Sequence, residues 1–111
     1  MQTDNFESSY RATEPSRGDV DSLKDVAVLE FGAPWCPICQ GAQSDIQTVI
    51  REHPEIHHIK VEDGSGRPLG RSFRIKLWPT LIVLKDGTEV ARVVRPTGAG
   101  SIRETLAIAE G

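Results

Sequence analysis

Both cysteines of this chain lie within five residues, Trp35-Cys36-Pro37-Ile38-Cys39. Two thiols at that spacing can form a disulfide with each other and exchange it with a partner's, or they can hold a metal. For exchange, one thiol must become an anion near neutral pH, which requires surroundings that favour negative charge. A helix starting at Pro37 supplies them. Cys36 then occupies the N-cap, where the free N–H groups of Ile38 and Cys39 and the positive helix end face its sulfur. Proline suits the first helical position, because the N–H it lacks would have had no intrahelical partner. Both sulfurs fall on the same side of the first turn. Cys36 is then expected to attack a partner's disulfide, and Cys39, one turn into the helix and nearer the core, to resolve the mixed disulfide.

Resolution requires a group that removes the Cys39 proton. Glu30, six residues before Cys36, is the expected one: a carboxylate buried beneath this corner can act as a general base through a water. The alternation in Val28-Leu29-Glu30-Phe31 equally allows an outward, solvated Glu30. The metal alternative is Cys36-x2-Cys39-x13-His53-x3-His57, with His58 as a spare ligand, which satisfies a zinc-site spacing. Geometry opposes it. A helix from Pro37 carries His53 about 20 Å from the cysteines at ~1.5 Å per residue, and Pro54 keeps His53 and His57 off one helix. The three histidines are therefore expected to be exposed polar residues, and no metal or cofactor is expected.

The elements that position these residues follow from periodicity. Val26 to Phe31 is a compact β-branched-rich run that reads as a buried strand. After Gly32-Ala33-Pro34, the apolar positions Ile38, Ala42, Ile46, Val49 and Ile50 recur at helical spacing until His53-Pro54. Ile56 to Val61 is the next strand. Strand, helix and strand form a right-handed βαβ unit with parallel strands, and both cysteines sit at its first corner. Leu69 to Phe73 is expected to be a short helix. Thr80–Leu84 and Glu89–Val94 flank Asp86-Gly87 as an antiparallel hairpin. Ser101 and Glu104 form a capping box before a terminal helix with Ile102, Leu106 and Ala109 on one face. Residues 1–18 show neither period and read as a loosely held arm, Asp19 to Lys24 as a possible helical turn, and 19–111 as one domain. The expected class is α/β, a four-stranded mixed sheet with helices on both faces.

Composition narrows the function. A chain of 111 residues, with thirteen basic and sixteen acidic residues and a net charge of −3, has no electrostatic bias towards nucleic acid or an anionic membrane. No stretch approaches the ~18 apolar residues of a membrane span. The acidic N-terminus has no apolar run of the secretory kind, so a cytoplasmic location is expected. In that reducing compartment two cysteines point to catalysis or metal binding rather than a structural bridge.

Together, Glu30-Phe31, Ala33-Pro34-Trp35-Cys36-Pro37-Ile38-Cys39, Trp78-Pro79-Thr80 and Lys85-Asp86-Gly87 resemble the thioredoxin family from about Val26 to the terminal helix. Thioredoxins proper have Gly-Pro between the cysteines, and the Pro-first order here is closer to glutaredoxins. Glu30 stands where the family has a buried Asp, Gly32 where it commonly has a tryptophan, and Trp78 where it has a small aliphatic residue. The family's first strand is not evident in residues 1–25. The resemblance implies the thioredoxin fold and dithiol–disulfide exchange, with Lys60 near Glu30 and a cis Trp78–Pro79 bond packed on the cysteine pair. Residue 78 would then offer its N–H and C=O to an extended partner segment. Trp35 and Trp78 would rim that groove together with Pro37, Ile38 and Thr80, although Trp78 could instead fill the space above Gly32. Arg95 would favour acidic partners on the same rim. The implied protein is a monomeric protein-disulfide reductase, recharged by a separate reductase. The alternatives are a disulfide oxidase or isomerase of the same fold, a redox-inactive partner-binding module, and the zinc site.

Overall fold

The computed structural model describes residues 4–110; Met1, Gln2 and Thr3 of the expected arm, and Gly111, lie outside the described residues. Strand β1 (Val26–Gly32) is apolar at positions of both parities, as a strand covered on both faces must be. Val28 points into a layer with Ala42, Ile46 and Ile50 of helix α2 (Pro37–Arg51) and with Ile102 and Leu106 of helix α4 (Ala99–Glu110). Ala27, Leu29 and Phe31 face the opposite layer. That layer holds Val20 of helix α1 (Arg17–Asp21) and Leu69 of helix α3 (Pro68–Ser72). Each buried Ile, Leu or Val contributes about 1.5–3 kcal/mol relative to exposure, so the two apolar layers carry most of the gain on folding.

β1 pairs in parallel with β2 (His57–Glu62) and antiparallel with β3 (Thr80–Lys85), which pairs antiparallel with β4 (Thr88–Val94). The order in the sheet is β2-β1-β3-β4. It is the four-stranded mixed sheet expected, with no strand among the described residues before β1. In the hairpin, Asp86 and Gly87 both have positive φ, 51° and 81°, the pattern of a two-residue type I′ turn. Glycine is required at 87, because a Cβ there would run into the Asp21 backbone.

Two expectations are corrected. Helix α4 begins at Ala99, inside the expected turn, and the Ser101/Glu104 capping box does not form: Ser101 Oγ donates to the Gly98 carbonyl at 2.9 Å instead. Ala99 packs on the α2/α4 layer, and that burial extends the helix backwards past its apparent cap. The N-terminal segment is also not a loose arm from residue 4 onwards. Asn5 Nδ2 donates to the carbonyls of Ile50, His53 and Ile56 at 2.9–3.0 Å, Phe6 stacks on His58 at 5.0 Å, and the Arg11 N–H bonds the Lys60 carbonyl at 3.0 Å. The segment runs along the outer edge of β2, covering a strand edge that would otherwise expose unpaired backbone groups. Its end is the Ser16/Asp19 capping box of α1, which places that helix slightly earlier than the expected turn.

Candidate active site

β1 and α2 meet at Ala33–Cys36, and Cys36 is the N-cap residue of α2 with Pro37 in its first turn. Its Sγ accepts the Cys39 N–H at 3.2 Å. The turn is tightened by the Cys36 N–H bonding the Ala33 carbonyl at 3.2 Å. Both cysteines are free thiols, packed with Ala33 and against Trp78. Cys36 is 6% exposed and Cys39 1%, so the cap residue is the outer of the two. Burial, followed by its hydrogen bond with Cys36, pushes the Cys39 thiol up to about 11, while the Ala33 N–H and the Tyr10 hydroxyl pull it back.

Glu30 is completely buried, which removes the outward reading. In the parallel register Glu30 lies opposite Lys60, and Val28 opposite His58, so these side chains share the face covered by α2. Glu30 Oε1 lies 2.8 Å from His58 Nε2, and Oε2 accepts from Gln43 Nε2 at 2.7 Å. His58 Nδ1 accepts the Glu7 N–H at 2.8 Å. A ring nitrogen that accepts from a backbone N–H carries no proton, so the neutral ring's proton is on Nε2 and is donated to Glu30. Glu30 therefore receives two hydrogen bonds as a carboxylate. Hydrogen bonds to a charged group contribute about 1.5–3 kcal/mol each, which offsets the several kcal/mol that burying a carboxylate costs.

Lys60 is buried at 4% exposure. It does not touch Glu30. Its Nζ donates to Gln43 Oε1 at 2.7 Å and to the Ser8 carbonyl at 3.0 Å, so Gln43 stands between anion and cation, and its Nε2 also reaches the Cys39 carbonyl at 3.0 Å. The expectation that His58 is exposed is wrong: it is 3% exposed, because its partner Glu30 is carried inside by β1. The zinc combination is not assembled. His53 lies beyond the C-terminal end of α2 and faces Glu55 and Glu110, whereas the cysteines are at the opposite end of the helix.

The Trp78–Pro79 bond is cis. Trp78 does not fill the space above Gly32, since a Cβ there would meet Cys39 Sγ at 2.6 Å and the Tyr10 hydroxyl at 2.8 Å. The Trp78 indole N–H instead donates to Asp63 at 2.8 Å, and its ring meets that of Trp35 edge-on at 5.4 Å. The Trp78 carbonyl accepts from Arg95 Nε at 2.9 Å, and the Arg95 N–H bonds the Pro79 carbonyl at 2.8 Å. One lone pair of the Trp78 carbonyl is thus already used within the chain. Thr80 is buried and donates to the Leu77 carbonyl at 2.6 Å, so it braces the rim from behind. Trp35 is 68% exposed, and Ile38, Leu77 and Val94 are exposed as well. Leu77 adjoins Trp78 and Val94 pairs with Thr80, which gathers apolar surface on the side of the site that Trp78 borders.

The thioredoxin family model matches residues 11–107. The chain belongs to the thioredoxin family. It is 30% identical over 79 residues to a thioredoxin of Echinococcus granulosus, covering 71% of this chain and 73% of that one. It is 37% identical over 76 residues to a thioredoxin of Chlamydia trachomatis, covering 67% and 74%. Among solved structures, thioredoxin 2 from Pseudomonas aeruginosa PAO1 in its reduced form superposes with a TM-score of 0.84 at 47% identity, over 96% of this chain and all of that one. Family and geometry together make this thioredoxin-family protein a thiol–disulfide oxidoreductase with Cys36 and Cys39 as its paired thiols. The family acts on disulfide substrates and draws electrons from a reductase partner. Among the described residues, no helix of the chain is long and apolar enough to cross a membrane.

Four residues around the site were not singled out by sequence reasoning: Gln43, His58 as a buried group, Asp63 and Tyr10. Gln43 had a signal, since it lies four residues after Cys39 and therefore on the same helix face. His58 had a weaker one, two residues before Lys60 on β2 and so on the same strand face. Asp63 and Tyr10 had none.

Proposed function

We propose that this thioredoxin-family protein is a cytoplasmic, monomeric protein-disulfide reductase in which Cys36 attacks and Cys39 resolves. The observation that carries the reading is the asymmetry of the pair: Cys36 caps α2 under an exposed apolar rim, and Cys39, one turn into the helix, is the more buried of the two. A partner segment lies along Trp35, Ile38 and Trp78, with Pro37, Pro79 and Thr80 shaping the groove and Arg95 at its end. Cys36 attacks a partner sulfur and forms a mixed disulfide, and the partner's other sulfur leaves as a thiolate. Cys39 then attacks Cys36 Sγ and releases the substrate reduced. A separate reductase returns the two electrons.

The proton of Cys39 goes to Glu30 by way of water. A cleft of about 510 Å³ reaches Cys39, Gln43 and Lys60, wide enough for water beside the sulfur. Gln43 holds the anion in place, and Lys60, on the far side of Gln43, lowers the cost of its charge. The test is trapping. Cys39→Ser should accumulate mixed disulfides with substrate proteins, resolved on non-reducing gels, and Cys36→Ser should accumulate none. Equal trapping by both variants would overturn the assignment. Turnover of a disulfide-bridged protein with dithiothreitol as electron source checks the direction: catalysed oxidation of dithiols without catalysed reduction would replace the reductase by an oxidase.

A further inference from the structure

Tyr10 belongs to a stretch without helical or strand periodicity, and nothing in its sequence setting points to chemistry. The fold carries it to the redox corner. Its hydroxyl and Cys39 Sγ share the space where a Gly32 side chain would be, 2.8 Å and 2.6 Å from the position a Cβ would take. The hydroxyl and the sulfur border one small space, close enough for each to bear on the other's proton. The ring is held from the other side, where Lys60 Nζ lies 4.6 Å from its centre, a cation–π distance. The chain on either side is pinned to the same lysine, through the Ser8 carbonyl before it and the Arg11 N–H after it, each at 3.0 Å. A phenol clamped in this way keeps its hydroxyl beside the sulfur with little rotational freedom to lose at each turnover.

We propose that Tyr10 is a further catalytic residue of this dithiol exchange: its hydroxyl donates a hydrogen bond to Cys39 Sγ and stabilises the thiolate that resolves the mixed disulfide. The inference rests on the assignment of Cys39 as the resolving thiol. The hydroxyl is a donor and not a base. Burial, then the charges of Cys39 and Glu30, hold the Tyr10 phenol far above its ordinary range, so the proton stays on oxygen throughout. The groups that bear on the Cys39 thiol are Cys36 at the cap, the Ala33 N–H and Tyr10, with the apolar Trp78 packed against the pair.

In the step itself, Cys39 gives its thiol proton to the carboxylate of Glu30 by way of water. Its thiolate attacks Cys36 Sγ, the bond from Cys36 to the partner sulfur breaks, and the partner leaves as a thiolate with the bonding pair. The Cys36–Cys39 disulfide forms, and the Tyr10 O–H is unchanged. Its hydrogen bond is strongest to the anion, so it favours the state just before attack over the neutral thiol. The loop-and-glycine arrangement supplies what a larger residue at 32 would have blocked.

The test is Tyr10→Phe, which removes one oxygen and leaves the ring under Lys60. With cysteine Cβ labelled, NMR titration of the reduced protein should show Cys39 ionising at higher pH than in the parent. Stopped-flow Trp fluorescence should show resolution slowed on the order of tenfold, as for loss of one hydrogen bond to a charged group, with the first attack by Cys36 unchanged. Unchanged titration and unchanged resolution overturn the proposal, and so does equal slowing of both steps, which marks a general loss of structure. The titration reads the contact even if trapping reverses the roles of the two cysteines, so failure of that assignment and failure of this inference give different results.

Discussion

His58 determines what Glu30 can do. Because Nδ1 is committed to the Glu7 N–H, the ring presents a proton to Glu30, and Gln43 presents another. A carboxylate matches two donors; an amide does not. In Glu30→Gln the new side chain keeps its volume but turns an NH2 towards either His58 or Gln43, donor against donor. The variant should lose about 1–3 kcal/mol of stability, the cost of a buried polar group left without its partner. Resolution by Cys39 should slow between pH 6 and 8, at or below the lower end of the ~10²–10⁴-fold typical of general-base assistance, while the first attack changes less. Urea unfolding reads the first effect and single-turnover fluorescence the second. Resolution at the parent rate would leave Glu30 a structural anion only.

At the scale of elements, the N-terminal segment forms an irregular edge beside β2 of the four-stranded sheet. It lacks a hydrogen-bond ladder of its own and borrows partners from α2 and β2. Asn5 is its anchor, because one amide group serves three carbonyls where α2 ends and β2 begins. Phe6 on His58 and the Asp4–Arg51 ion pair add to it, although an exposed, salt-screened pair of that kind adds little. Asn5→Ala should therefore cost about 1–3 kcal/mol in urea unfolding, as for buried acceptors left unpaired, with an unchanged m value. A change below half a kcal/mol would mean that Phe6 alone seats the segment. Since Tyr10 is carried by the same segment, its seating is a condition for the arrangement around Cys39.

For the whole molecule, the pH range of stability is bounded by identifiable groups on both sides. On the alkaline side, burial first of all raises Cys39 from 9.0 to about 11 and raises Tyr10 beyond its ordinary value of 10.0. Groups raised in the folded state bind their protons more tightly there than in the unfolded chain. Their contribution is complete below about 9 and is lost as pH rises through about 11. On the acid side, Asp4 and Glu52 are lowered by their hydrogen bonds to Arg51 and Arg103. Burial raises Glu7, but its bonds from Arg11 and the Lys60 N–H outweigh it and leave the group lowered. These groups contribute above their ordinary values of 3.8–4.5, and the contribution is lost as pH falls further. The thermal midpoint of the reduced protein should accordingly be flat from about pH 5 to 9 and fall on both sides. Cys39→Ala should flatten the alkaline fall, and salt should weaken the acid one, because its ion pairs are exposed. An alkaline fall identical in Cys39→Ala would assign it to Tyr10.

The sequence alone determined the features that depend on near neighbours. The period of 3.6 in Ile38 to Ile50, the β-branched runs and Asp86-Gly87 specify α2, the strands and the hairpin, and those elements place Cys36 at a helix cap whatever the rest of the chain does. Glu30 was legible as an acid in a buried strand, and the cysteine pair with Trp78-Pro79-Thr80 was enough to indicate the family. Which distant groups complete the site depends on the folded chain. Lys60 and His58 are ordinary polar residues of β2 until the parallel register sets them beside Glu30. Gln43 becomes their bridge only once α2 lies across that face. Tyr10 reaches Cys39 because Gly32 leaves room and because Asn5 and Lys60 hold the segment there. Such meetings are fixed by the sum of many weak long-range contacts, and no local period in the chain records that sum.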